Sequence, residues 1–139
     1  MSRSTLRSVI QAGDQLGPIE VTLDRATLVR YAGASGDFNP IHWSDTAARA
    51  ADLPGVIAHG MWTMGVAIQL VTDWVGDPGR IEHYSVRFAR PLPVPPTGPV
   101  TLQVSGRVTD IEQDRAHLQL SVTLDGQKLL NGAKATVRL

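Results

Sequence analysis

Residues 59–75 of the chain read HGMWTMGVAIQLVTDWV, a stretch that places apolar side chains on nearly every side of a helix. A helix that lies on a protein surface keeps one polar face, whereas a helix that is apolar all round is buried. Three small residues, Gly60, Gly65 and Ala67, would let this helix pack closely against a sheet. The stretch is too short and too polar to span a bilayer. It therefore predicts a long buried helix on which the rest of the chain folds.

The residues before this helix predict one strand and two further helices. Apolar and polar side chains alternate at residues 19–23, as expected for a half-buried strand. Asp24 is a suitable N-cap for a helix from about Arg25 to Ala34, which Gly36 would end. Ser44 is a second suitable N-cap, for a short helix that reaches about residue 52.

After the long helix the apolar residues recur with a period of two, which is typical of strands. Asp125-Gly126 is a strong signal for a two-residue hairpin turn. Residues 91–99 hold five of the nine prolines and predict a rigid loop. The helices are segregated from the later strands, which indicates an α+β fold with an antiparallel sheet. We expect one domain over residues 1–139, with four strands in a meander at 84–88, 100–108, 116–124 and 129–137.

Composition excludes several classes of function. The 139 residues include 13 basic and 13 acidic side chains and no basic block, so nucleic acid and anionic membranes are poor partners. The absence of cysteine rules out disulfides and thiol chemistry and fits a cytoplasmic location. The first eight residues lack the apolar core of a signal peptide.

The chemistry of the chain concentrates in residues 35–42, SGDFNPIH, which place the carboxylate of Asp37 near the imidazole of His42. The Asn39-Pro40 pair forbids regular helix and stiffens the loop. Histidine titrates near neutrality, and a carboxylate can orient it or share its protons. Either residue alone is better explained as part of a turn, because most polar residues in turns do no chemistry. Together on a stiff loop, Asp37 and His42 predict an acid–base pair.

Gly60, at the start of the long helix, is the second candidate. A helix N-terminus offers free N–H groups and the positive end of the dipole, and a glycine there would let a substrate carbonyl approach its amide. Close packing explains a glycine equally well. We expect His59 only to cap the helix, and we expect His83 and His117 to be ordinary strand residues. His42 and His59 lack the spacing of a helical zinc pair, so no metal is expected.

The stretch YAGASGDFNPIH at residues 31–42, with Ala48 six residues later, resembles the hydratase-2 motif of the MaoC-like (R)-specific enoyl-thioester hydratases and dehydratases. The resemblance continues through AHGM at 58–61. NPIHW at 39–43 and VRF at 86–88 are similar to one subgroup, the catalytic B subunits of actinobacterial (3R)-hydroxyacyl-ACP dehydratases.

The resemblance implies a hot-dog fold, in which a curved antiparallel sheet wraps round one long helix. It also implies that Asp37 and His42 form a catalytic dyad, that Gly60 donates its N–H to the thioester carbonyl, and that Asn39 braces the loop. The reaction would be the reversible syn dehydration of a (3R)-3-hydroxyacyl thioester to the trans-2-enoyl thioester, by a hydro-lyase of fatty-acid elongation. No cofactor is needed, because the pantetheine belongs to the acyl-ACP or acyl-CoA substrate.

Several alternatives stay open at the level of the sequence. The family also contains homodimers and heterodimers in which a related subunit lacks the dyad. Many stand-alone members carry a serine two turns into the long helix, where this chain has Ala67 and Ile68. These apolar side chains would make the tunnel for the acyl chain more apolar, which would favour long acyl chains. A hot-dog thioesterase and a non-catalytic acyl-binding subunit are the other functions considered. Three arginines, by charge alone, are candidates for docking an acidic acyl-carrier protein: Arg80, Arg87 and Arg90.

Overall fold

The computed structural model describes residues 10–139, which form a six-stranded antiparallel sheet with helices on one side. The first eight residues, on which the expectation about a signal peptide rests, lie outside this range. Short 3-10 turns lie at Pro40–His42 and Pro78–Arg80. The main elements, in chain order, are β1 Gln15–Leu23, α1 Arg25–Ser35, α2 Asp45–Ala50, α3 Gly60–Val75, β2 Ile81–Phe88, β3 Val100–Glu112, β4 Arg115–Leu124, β5 Gln127–Lys128 and β6 Leu130–Arg138.

The predicted α+β fold with an antiparallel sheet is confirmed, but the predicted meander of the last strands is wrong in one respect. The strand order is β1-β3-β4-β6-β2, with the short β5 paired to β4. β2 therefore pairs with the last strand and not with β3, its neighbour in the chain. The proline-rich residues 89–99 account for the difference, because prolines cannot donate to a sheet ladder and this segment leaves the sheet between β2 and β3.

The inner side of the curved sheet covers one face of α3. The buried residues of α3 recur at helical spacing, and they are Thr63, Ala67, Leu70, Val71 and Val75. They belong to one core with inward-facing residues of the strands, including the fully buried Leu102, Val104, Leu118, Val122 and Val137. Each apolar face thus removes the other from water, which is the main favourable term in folding.

The opposite face of α3 stays open, so the expectation of a helix buried on every side is only partly correct. Met61 is 59% exposed. A Cβ built on Gly65 would meet nothing within 4 Å, so Gly65 does not serve close packing against the sheet as expected. The physical reason is that one sheet can cover only one side of a helix. No helix within residues 10–139 is long and apolar enough to cross a membrane.

Local signals in the sequence place the helix ends and turns correctly. Asp24 caps α1 by accepting a hydrogen bond from the N–H of Thr27, and Gly36 ends the helix with φ of 76°. Ser44 caps α2, which ends at Ala50, slightly earlier than predicted. The hairpin at Asp125-Gly126 has φ of 50° and 78°, the conformation that favours these residues.

A network centred on Arg25 fastens four segments that surround the start of α3. Its Nε donates to the carbonyl of Val94 at 2.7 Å, and its two terminal nitrogens donate to the carboxylate of Asp45 at 2.9 and 3.3 Å. The same carboxylate accepts the N–H of Val56 at 3.0 Å. The network thereby joins α1, α2, the segment before α3 and the proline-rich loop.

The Tyr84→Phe substitution tests the link between β2 and α3. The Tyr84 hydroxyl donates to the carbonyl of Met64 at 2.7 Å, and burial raises the pKa of Tyr84 from 10.0 to about 12. Loss of this bond should destabilise the protein by about 1 kcal/mol at neutral pH.

Since the pKa of Tyr84 is higher in the folded state, its contribution is complete below pH 10 and is lost as the pH rises towards about 12. Urea unfolding across this range should therefore show a weaker alkaline loss of stability for Tyr84→Phe than for the wild type. Tyr31→Phe, which leaves Tyr84 in place, is the control and should keep the wild-type slope. Equal slopes in all three proteins would contradict the assignment.

The Asp45→Asn substitution tests the network. The hydrogen bond from Arg25, followed by that from the Val56 N–H, lowers the pKa of Asp45 below its ordinary value of 3.8. A carboxyl group with a lowered folded pKa stabilises the protein above pH 3.8 and loses this contribution as the pH falls through the folded value. The urea midpoint of Asp45→Asn should be lower than that of the wild type at neutral pH, and the two midpoints should converge in acid. A constant difference at every pH would sink the idea.

Candidate active site

Hydrogen bonds within residues 35–42 build the loop that sequence reasoning selected. The N–H of Asp37 donates to the Ser35 hydroxyl at 3.2 Å, and the N–H of Asn39 donates to the Asp37 carboxylate at 3.1 Å. The side chain of Asn39 in turn accepts the N–H of Ile41 at 3.2 Å and caps the 3-10 turn that carries His42. Each short polar side chain therefore fixes the backbone two residues away, as such residues do in turns. Asn39 is placed as a brace, as the resemblance implies.

The loop brings Asp37 and His42 together but leaves a gap between them. His42 Nε2 lies 3.8 Å from Asp37 Oδ2, which is too long for a hydrogen bond. The imidazole side chain is 8% exposed, whereas the carboxylate side chain is 52% exposed. An oxygen atom of water or substrate that lies to one side of the line between the two atoms could hydrogen-bond to both of them.

The backbone determines which nitrogen of His42 is free. His42 Nδ1 lies 2.7 Å from the carbonyl oxygen of Ile57. A carbonyl can only accept, so Nδ1 carries the proton and the neutral ring has its lone pair on Nε2. This lone pair is on the nitrogen nearer Asp37. His42 is therefore set up as a base beside a carboxylate.

His59 belongs to the same group of side chains, and the expectation that it only caps α3 is wrong. It occupies the N-cap position, but its side chain makes no cap hydrogen bond. The ring is 2% exposed and stacks on the ring of His42 with centroids 3.7 Å apart. His59 Nε2 lies 3.0 Å from the carbonyl oxygen of Asp37. The sequence shows His59 next to Gly60, the glycine that starts α3, which was the only indication of a role for it. Its contacts with Asp37 and His42 are tertiary and could not be predicted from the sequence.

Asp37, His42 and His59 each offer an atom that could bind a metal, and these atoms lie within 4.8 Å of one another. An imidazole binds a metal in the plane of its ring. The rings of His42 and His59 are inclined by only 20° and stacked, so one ion cannot lie close to the plane of both. One nitrogen of each ring also faces a backbone carbonyl. The arrangement suits proton transfer better than ion binding.

A cavity of about 330 Å³ opens beside the first turn of α3. Gly60 lines this cavity. Because Gly60 is the first residue of α3, its N–H has no hydrogen-bond acceptor within the helix. A Cβ at this position would lie 3.0 Å from the ring of Phe88, so only glycine leaves the ring and the amide in place. Other lining residues are mostly apolar, and they include Ile57, Ala58, Thr63, Ala89, Arg90, Pro91, Leu92, Leu129 and Leu130.

Thr63 is a polar residue of the cavity that sequence reasoning missed. It is 4% exposed and lies one turn after Gly60. Where many family members have a serine, this chain has Ala67, which is fully buried in the core. Thr63 instead brings a hydroxyl group closer to the start of α3.

The three arginines singled out by charge do not form one patch. Arg90 lines the cavity. Arg80 lies beyond the C-terminus of α3, a helix that is about 24 Å long. The Arg80 side chain is 14% exposed and lies beside Asp77. Arg87 lies on β2 near Gly132. The histidines expected to be strand residues, His83 and His117, lie on β2 and β4.

Comparison with known proteins points to one family. The model of the MaoC-like domain matches residues 9–125. Fatty acid synthase subunit beta of Aspergillus oryzae is 44% identical over 73 residues, which are 50% of this chain and 3% of that protein. The 3-hydroxyacyl-thioester dehydratase X of Mycobacterium tuberculosis is 43% identical over 72 residues, which are 52% of this chain and 25% of that protein. The chain therefore spans a quarter or less of these two relatives.

Solved structures agree on the fold. A MaoC-like dehydratase superposes with a TM-score of 0.90 and 34% identity over 95% of this chain and 41% of that one. The (R)-hydratase of A. caviae involved in PHA biosynthesis superposes with a TM-score of 0.82 and 21% identity over 94% and 98% of the two chains. At that identity the likeness concerns the fold, which is the hot-dog fold. Since the family model covers most of the sequence, the protein belongs to the MaoC-like domain family.

Proposed function

We propose that the protein catalyses the reversible syn dehydration of (3R)-3-hydroxyacyl thioesters to trans-2-enoyl thioesters, as a hydro-lyase of fatty-acid metabolism. The observation that carries the proposal is the 3.8 Å separation of Asp37 Oδ2 and His42 Nε2. The pair lies near the N-terminus of α3, where Gly60 lines the cavity. The names of a 3-hydroxyacyl-thioester dehydratase and of an (R)-hydratase among the similar proteins support the same reaction.

In the hydration direction, a water molecule held between His42 and Asp37 attacks C3 of the enoyl group. The dyad takes a proton from this water and supplies a proton to C2 on the same face of the substrate, and dehydration reverses these steps. Negative charge develops on the thioester oxygen between the two events. The N–H of Gly60 and the positive end of the α3 dipole stabilise that oxygen. Asp37 and His42 exchange protons as a pair, so a single proton is not assigned to either residue.

The cavity supports an acyl thioester as the substrate. Its lining is largely apolar and would hold the acyl chain, while the exposed side of Asp37 leaves the dyad open to solvent. The carrier is CoA or acyl-carrier protein, and Arg90 is the cation of the cavity lining that could meet a carrier phosphate.

A second hot-dog subunit is the proposed partner. β2 is an edge strand of the sheet, and the open face of α3 exposes Met61. Unpaired edge strands and exposed apolar residues are features that association covers. The partner is a second copy of the chain or a related subunit. The solved ChsH1-ChsH2 complex of Mycobacterium tuberculosis, which superposes with a TM-score of 0.78 at 22% identity, has a subunit of the same fold.

Substitution of the dyad tests the reaction. Asp37→Asn and His42→Ala should each lower the rate of hydration of a short trans-2-enoyl-CoA by about 10²- to 10⁴-fold, because each removes one half of the proton relay. The loss of enoyl absorbance measures the rate. His117→Ala, which changes a histidine of β4 that is hydrogen-bonded to Glu112, is the control and should retain activity. Wild-type turnover in both dyad variants would exclude the assignment, and release of free thiol without hydration would indicate a thioesterase.

Substitution of Gly60 tests the site for the carbonyl. Gly60→Ala keeps the N–H but pushes a methyl group against Phe88, so the ring must move within the cavity. We expect kcat/KM to fall by about 10- to 100-fold, since a small displacement of a positioned substrate has effects of this size. Gly33→Ala on α1 is the control, because its Cβ also meets nothing within 4 Å, and it should leave activity unchanged. Similar activity of the two variants would remove Gly60 from the mechanism.

A further inference from the structure

We propose that His59 is a positioning residue that holds both members of the dyad, one through a hydrogen bond and the other through ring stacking. The inference rests on the proposed function for its effect on turnover, but its geometric content stands independently. His59 is 2% exposed at the N-cap of α3, between the loop that carries the dyad and α1. None of the mechanistic steps uses it to transfer a proton.

The first contact fixes Asp37. His59 Nε2 lies 3.0 Å from the carbonyl oxygen of Asp37. Because the carbonyl only accepts, the proton of His59 is on Nε2 and the ring donates it. The bond anchors the backbone from which the carboxylate projects, whereas the N–H of Asn39 anchors the carboxylate itself.

The second contact fixes His42. The two imidazole rings stack at 3.7 Å with an angle of 20°. The ring of Tyr31 from α1 also contacts His59, in a T-shaped arrangement with centroids 4.7 Å apart and an interplanar angle of 66°. Since the Ile57 carbonyl already holds His42 Nδ1, stacking removes the remaining freedom of the ring to tilt. The direction of the Nε2 lone pair towards Asp37 therefore depends on His59.

In the part of the chain that the structure describes, the surroundings of His59 provide a partner for only one of its two ring nitrogens. Its Nδ1 is buried, and within residues 10–139 it has no hydrogen-bond partner. A proton there would bury an unpaired donor and a charge against the ring of His42, which itself becomes charged when it accepts a proton. The titratable groups in contact with His59 are Tyr31 from α1 and Asp37 and His42 from the loop. His59 is therefore held by one hydrogen bond and by its packed ring, which suits a residue that supports the dyad and does not carry a proton itself.

Three substitutions separate the two contacts. His59→Phe keeps a ring to stack but loses the donor, His59→Gln keeps a donor but loses the ring, and His59→Leu loses both. We expect kcat for enoyl-CoA hydration to fall about tenfold for Phe and Gln and about a hundredfold for Leu, with KM little changed. His117→Gln is the matched control and should retain the wild-type kcat. Circular dichroism measures the folded fraction, to which every rate is referred.

Nitrogen-15 NMR of the histidine rings gives a test that does not depend on activity. In the wild type we expect the proton on Nδ1 of His42 and on Nε2 of His59, and in His59→Leu we expect the His42 ring signals to broaden, because the ring is no longer held by stacking and can tilt against the Ile57 carbonyl. A folded His59→Leu protein with wild-type kcat and an unchanged His42 signal would overturn the proposal. If the wild type does not hydrate enoyl-CoA at all, the proposed function fails, while the NMR result still decides whether His59 positions His42.

Discussion

The structure depends on the burial of one face of α3 against the inner side of the curved sheet. The buried residues of that face, from Thr63 to Val75, lie in one core with residues of the sheet strands. This contact removes the largest continuous apolar surfaces of the chain from water, which is the dominant favourable term in folding. It also sets the position of the start of α3. The candidate site lies at that start, so the core and the site share one constraint.

Hydrogen bonds join the segment that leads into α3 to several other parts of the chain. Arg25 joins α1, α2, the segment before α3 and the proline-rich loop through one guanidinium group. The N–H of Ile57 donates to the carbonyl of Ile41, and the carbonyl of Ile57 faces His42 Nδ1. The dyad is therefore held by backbone groups of a neighbouring segment as well as by its own loop. Such preorganisation limits the reorganisation that a reaction would require.

The electrostatic arrangement explains why a carboxylate and two histidines can work within so small a space. Each imidazole has one nitrogen opposite a backbone carbonyl, which selects one tautomer for each ring. His42 is left with Nε2 near Asp37, and His59 is left with a buried Nδ1 that has no hydrogen-bond partner within residues 10–139. One ring is thus available for proton exchange and the other is not. This division of roles follows from hydrogen bonding, although the two side chains are chemically identical.

Much of the architecture and of the site followed from local patterns in the sequence. The caps at Asp24 and Ser44, the ends of α1 and the hairpin at residues 125–126 depend on contacts between near neighbours, so they could be predicted. The loop from residue 35 to residue 42 could be predicted for the same reason, because its hydrogen bonds join residues two positions apart.

Only the tertiary structure decided three other features. It paired β2 with β6, left Gly65 on an open face of α3, and stacked His59 on His42. Each of these depends on segments that are distant in the sequence, and no local pattern of residues encodes which of several possible partners a strand or ring will meet. The sequence alone therefore determined the helices, the strands and the loop that brings Asp37 and His42 together, and long-range packing decided how they face one another.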